Sequence, residues 1–146
     1  MNTNRWFGTA ALVAVLGLAG CNTMQGMMGG SGSQDVTLSG KSEVPPNDSS
    51  ATGTGTVSVS ADRSVKVEVT VSGMAATAAH IHQGAAGANG PVIVPLDKKG
   101  DNAFVSKPDA KLTESQYAAY KAGNTYLNVH SARFPPGEIR AQLKGK

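Results

Sequence analysis

The sequence is poor in the residues on which several protein classes depend. It has one cysteine in 146 residues, so no intramolecular disulfide can form. Aromatic residues make up 5%, with a single Trp, and no basic stripe is interleaved with them, so no nucleic-acid partner is expected. The formal net charge of +3 is a small basic excess. No apolar run is long enough to span a bilayer as a helix, the longest being Trp6 to Leu18. Histidine occurs three times in the whole chain.

That apolar run has a clear setting. In "MNTNRWFGTAALVAVLGLAGCNT", Arg5 supplies a positive n-region and small residues follow the apolar stretch, which is the pattern of a signal peptide over residues 1–20. Leu18, Ala19, Gly20 and Cys21 resemble a bacterial lipobox. The resemblance implies that Cys21 is acylated, heads the mature protein and anchors it to a lipid bilayer, where several acyl chains hold far better than one. Asn22 in place of Asp implies an outer-membrane lipoprotein of the bacterial cell envelope, facing periplasm or surface. Residues 21–34 then read as lipidated cysteine and flexible Met/Gly/Ser linker, "NTMQGMMGGSGSQ". Met24, Met27 and Met28 offer soft thioethers for Cu(I), or are bystanders.

From residue 35 to 146 the chain reads as one domain of short strands. "SVKVEVTVSG" alternates strictly, with Val65, Val67, Val69 and Val71 on one face. Similar stretches lie at 36–40, 55–60, 77–82, 91–97, 102–107, 125–130 and 138–144, and Ala61, Asp62 and Arg63 suit a hairpin connection. About eight such strands predict an all-β fold, an antiparallel Greek-key sandwich or barrel. One short helix is predicted at 113–122, where Thr113 and Gln116 form a capping box, Leu112 and Tyr117 a hydrophobic staple, and Gly123 a C-terminal cap. Tyr117 and Tyr120 share a helix face suited to packing.

The histidines sit in two of these strands, in "TAAHIHQG" and "YLNVHSA". Ile81 suits the core, so the period of two turns His80 and His82 to the opposite face. Leu127 and Val129 likewise turn Tyr126, Asn128 and His130 outward. If the strands are neighbours, directly opposed Cβ atoms lie about 4.5–5.5 Å apart, and three imidazoles can converge on one ion. Imidazole suits Cu, Zn, Ni and Fe(II), and copper heads the affinity order for a nitrogen site. No nucleophile with a His and acid partner can be inferred.

Three blocks carry a family resemblance: "LSGKSEVPP" at 38–46, "AAHIHQGAAGANGPVIVPL" at 78–96 and "YLNVHSARFPPGEIRAQL" at 126–143. They resemble the CHRD domain, named after chordin, which implies an extracytoplasmic β-domain of varied role. The segment around His80 and His82 is also similar to that of copper-zinc superoxide dismutases, where a His-x-His copper pair sits on a Greek-key strand before a Gly-rich loop. On that resemblance His80, His82 and His130 are copper ligands, while no histidines remain for a zinc site and no cysteine pair for the structural disulfide. Its implied cofactor is copper, and a small anion such as superoxide is the implied substrate.

Other residues in the blocks have roles to test. Glu43 is a candidate orienter of an imidazole, or joins Glu138 and Arg140 in an ion pair or bonds to loop backbone. Arg133 could draw an anion toward the metal or be merely solvated. Gly84, Gly87 and Gly90 suit turns beside the site, and Pro45, Pro46, Pro135 and Pro136 fix loop shape. Three functions fit: a copper-dependent superoxide dismutase, a non-catalytic copper-binding or delivery protein, and a metal-free adhesion or protein-binding module whose protein partner is unknown.

Overall fold

The computed structural model describes residues 32–146. Cys21, Met24, Met27 and Met28 lie outside them. The strands are β1 (Gly32–Ser39), β2 (Thr52–Val59), β3 (Val65–Ser72), β4 (Ala76–Gln83), β5 (Val92–Lys98), β6 (Ala103–Ser106), β7 (Thr125–Ser131) and β8 (Ile139–Gln142), with helix α1 (Glu114–Lys121) between β6 and β7. They close an antiparallel barrel in the order β1-β2-β3-β6-β5-β4-β7-β8. The chain leaves β3, passes to β4 on the far side of the reversed hairpins β4-β5-β6, and returns beside β4 as β7, a Greek-key path.

The barrel forms because alternation gives each strand one apolar face. β3 alternates buried and exposed without a break, and Val65, Val67, Val69 and Val71 enter the core with Leu38, Val57, Ile81, Phe104, Leu127, Val129 and Ile139. Gly55 lets β2 approach β3 closely, since a Cβ there would run into the Glu68 carbonyl. α1 starts as its sequence requires: the Gln116 amide donates to Thr113 Oγ1 and the Thr113 amide to Gln116 Oε1. Tyr120 is buried in the core, Tyr117 packs against its margin, and Gly123 takes φ 74° just past the helix.

One boundary moves. Residues 32–34 belong to β1 rather than to the linker, because Gly32 to Gln34 pair with Val59 to Val57. Gln34 also donates to the Lys144 carbonyl at 2.8 Å and accepts from the Lys144 amide at 2.8 Å, so its side chain stands in for a strand bond.

Candidate metal centre

The three histidines meet on the outer face of the barrel. β4 and β7 are antiparallel neighbours, with His80 opposite Asn128, His82 opposite Tyr126 and Ala78 opposite His130. The short Ala78 leaves space over its strand, so the His80 ring reaches diagonally to His130. Their ring centroids are 4.9 Å apart, and His80 Nδ1 lies 3.0 Å from His130 Nε2. Ligand nitrogens of His80, His82 and His130 all lie within 4.8 Å of one another. Register breaks flank the cluster on both sides, between Ala76 and Ala78 toward β7 and between Ile81 and His82 toward β5. Such bulges re-aim side chains beside functional sites.

Two loops fix the tautomers. His82 Nδ1 donates to the Gly90 carbonyl at 2.8 Å, and His130 Nδ1 donates to the Pro135 carbonyl at 2.8 Å. Each bond leaves Nε2 of its ring unprotonated: that of His130 faces His80 Nδ1, and that of His82 is buried without a partner. Burial, followed by the nearby His130 and His82 rings, lowers the pKa of His80. Burial also lowers that of His82, against the favourable Gly90 bond. Both shifts favour the neutral imidazole, which is the form that ligates a metal.

The loop over His82 is held by Arg140, which is 1% exposed. Its guanidinium donates to Ala88 O at 2.9 Å, Ala85 O at 3.3 Å, Asn89 Oδ1 at 3.1 Å and Gln142 Oε1 at 3.1 Å. It also lies 3.4 Å from the centroid of Tyr126, whose other face stacks on His82 at 4.8 Å and 8°. Gly90 completes the clamp by donating its amide to Tyr126 Oη at 3.1 Å. A Cβ at Gly90 would run into the Gln83 carbonyl, so only glycine brings the loop this close.

The covering loops bear on several expectations. The outward face is not an open surface: His82, Tyr126 and Asn128 are buried, because the loops at 84–90 and 134–137 fold back over it, and only His80 and His130 stay half-buried. Arg140 bonds to loop backbone, one of the two roles expected of it, and Glu138 accepts from Ser49 Oγ at 2.6 Å. Glu43 is buried beside Asn128 and has no hydrogen bond to an imidazole; burial raises its pKa, with Arg140 opposing. Arg133 is exposed, pairs loosely with Asp48 at 4.0 Å and lies 5.0 Å from the Phe134 ring, so no contact ties it to the histidines. The sequence places Gly90 in a turn beside the site and Asn128 on the outward face, but it ties neither of them, nor Arg140, to an imidazole. The signal for Asn128 was present, since it shares the outward face of β7 with His130.

A family model for the CHRD domain matches residues 35–143. The chain belongs to the CHRD family. No curated protein matches it, and no solved structure does. All three histidines, Arg140 and both covering loops fall inside the matched span, so the cluster is part of the CHRD domain itself. Among the described residues no helix is long and apolar enough to cross a membrane.

Proposed function

We propose that this CHRD domain binds copper through His80, His82 and His130, on a lipoprotein anchored to the bacterial envelope by acylated Cys21. The observation that carries the metal reading is a set of three imidazole nitrogens within 4.8 Å of one another, with two tautomers already fixed by carbonyls. Metal–imidazole bonds of about 2.0–2.1 Å span at most about 4.2 Å across an ion, so a pair of nitrogens at the 4.8 Å limit must draw together by about 0.6 Å or more. Side-chain rotation supplies that much. His80 would move its proton from Nδ1 to Nε2 to ligate through the nitrogen that now faces His130.

Bound copper would supply one-electron chemistry, which zinc in the same ligands could not. Half-buried His80 and His130 leave one flank for a small anion such as superoxide, and that favours a dismutase as the second reading. Arg133 contributes weakly to any steering field, since Asp48 lies beside it. The envelope address rests on the segment from Arg5 to Asn22.

Copper content of the purified protein, measured together with superoxide turnover, tests these readings. One copper per domain that is lost in the His80→Ala, His82→Ala, His130→Ala triple variant is expected. Turnover by the copper form and none by the zinc form makes it an enzyme; copper without turnover makes it a binding or delivery protein. No copper at all refutes the metal reading and leaves an adhesion or protein-binding module.

A further inference from the structure

Three buried polar atoms of the described residues lie around one spot without a hydrogen-bond partner besides Thr125 Oγ1 elsewhere: His82 Nε2, Asn128 Oδ1 and Glu43 Oε1. Asn128 is the residue that joins them. It is 1% exposed, stands opposite His80 across the β4–β7 pair, and adjoins both the His82 ring and the Glu43 carboxyl. Its amide orientation is set by its neighbours. Nδ2 faces the Pro136 carbonyl at 3.5 Å, and the space at Gly137 puts it near Glu43 Oε1, each 2.6 Å from where a Cβ would stand. The Pro136 carbonyl accepts on the nitrogen side and the Glu43 carboxyl lies near it, so Oδ1 turns the other way, toward the imidazoles.

That arrangement is costly unless something positive fills it. His82 spends its Nδ1 proton on Gly90, so Nε2 presents a lone pair, and Asn128 Oδ1 presents another. Two buried acceptors with no donor between them cost about 1–3 kcal/mol each. A cation satisfies both at once. From this geometry we infer that Asn128 Oδ1 is a fourth ligand of the ion held by His80, His82 and His130. The inference rests on the metal reading above and adds the residue that completes the shell. A carboxamide oxygen is a known kind of weak axial donor to copper beside imidazoles. Glu43 is then a positioning residue, which faces Asn128 Nδ2 and so keeps the oxygen aimed at the site.

The test compares Cu(II) binding and electron paramagnetic resonance of wild type, Asn128→Ala and Asn128→Asp, with unfolding of each metal-free protein as the check on folding. Asn128→Ala should bind copper at least tenfold more weakly, with a spectrum shifted toward fewer oxygen donors. Asn128→Asp returns an oxygen ligand of nearly the same size and should recover affinity. If it does so where Asn128→Ala does not, a folding defect is not the cause. Equal affinity and an unchanged spectrum in Asn128→Ala would overturn the assignment while leaving the three-histidine site standing. A wild-type protein that takes up no copper overturns the metal reading itself, and this ligand with it.

Discussion

Replacing Arg140 with methionine separates the two things its guanidinium does. Methionine keeps most of the apolar stem but removes donors to four acceptors, Ala85 O, Ala88 O, Asn89 Oδ1 and Gln142 Oε1. Leaving a buried acceptor unpaired costs about 1–3 kcal/mol. The loop at 84–90 is partly exposed and can turn some of these groups to water, so one or two acceptors remain unsatisfied. Losing the cation over the Tyr126 ring adds about 1–2 kcal/mol. Relief from holding a charge at 1% exposure works in the other direction. The net expectation is a loss of about 2–4 kcal/mol, against a total of about 5–15 kcal/mol for a domain of this kind.

The variant should therefore remain folded but unfold at lower urea, with an unchanged slope on denaturant. Its copper affinity should fall by about 10–100-fold, the usual effect of removing an outer hydrogen-bonding partner of a ligand, because the Gly90 carbonyl is no longer held against His82 Nδ1. Arg140→Lys should not rescue either property, since an ammonium cannot address divergent acceptors in one plane. Urea unfolding followed by circular dichroism and copper competition against a chelator measure both effects. Stability within about 0.5 kcal/mol of wild type, or full copper affinity, would refute the view that Arg140 organises the site through its loop.

Three further outcomes are expected. Glu43 has a raised pKa because it is buried, so it stabilises the fold only where it is protonated. That contribution is complete below the unfolded value of 4.5 and is lost as pH rises through the higher folded value. Glu43→Gln should accordingly raise the metal-free melting temperature at pH 7, with the gain vanishing in acid; a gain that persists unchanged at low pH would show another cause. Val67→Asp places a charge where the valine is 5% exposed, and should cost several kcal/mol or abolish the cooperative transition in the same urea assay. Intact-mass analysis of the membrane fraction should show a chain beginning at an acylated Cys21, and an unmodified thiol or a chain still carrying Met1 would contradict the anchor.

Period-two patterning made most of the barrel legible. β3 alternates in sequence and in burial alike, and the capping box at Thr113 marks the start of α1 to the residue. β1 was harder, because Gly32 to Gln34 carry no alternating apolar signal and become strand through pairing with β2 and the Gln34 bond to Lys144. Strand character of that kind comes from context rather than from local propensity. The histidine cluster was legible for a specific reason: the same alternation that buries Ile81, Leu127 and Val129 fixes which face His80, His82 and His130 share. What covers that face was not. Arg140 reaches Ala88 across 52 residues and His130 meets a turn that begins at Phe134, and no periodicity in the strands announces where such loops settle.

That division has a physical consequence for how the site works. The strands bring the imidazoles within reach, but β4 and β7 alone would leave both nitrogens of each ring exposed to water and free to choose a tautomer. Selection comes from carbonyls of two loops, Gly90 for His82 and Pro135 for His130. Each loop is in turn pinned by groups from elsewhere: Arg140 of β8 holds the first, and the Gly137 amide bonds Phe134 O at 3.1 Å in the second. Gly137 adopts φ 143°, and a side chain there would collide with Asn128 and Glu43. The block running from residue 126 to 142 thus carries His130, the Asn128 amide, the loop that orients His130 and the arginine that orients His82. A rigid barrel wall supplies distance, and the two loops supply direction, so substitutions in either loop should alter metal affinity far more than they alter the fold.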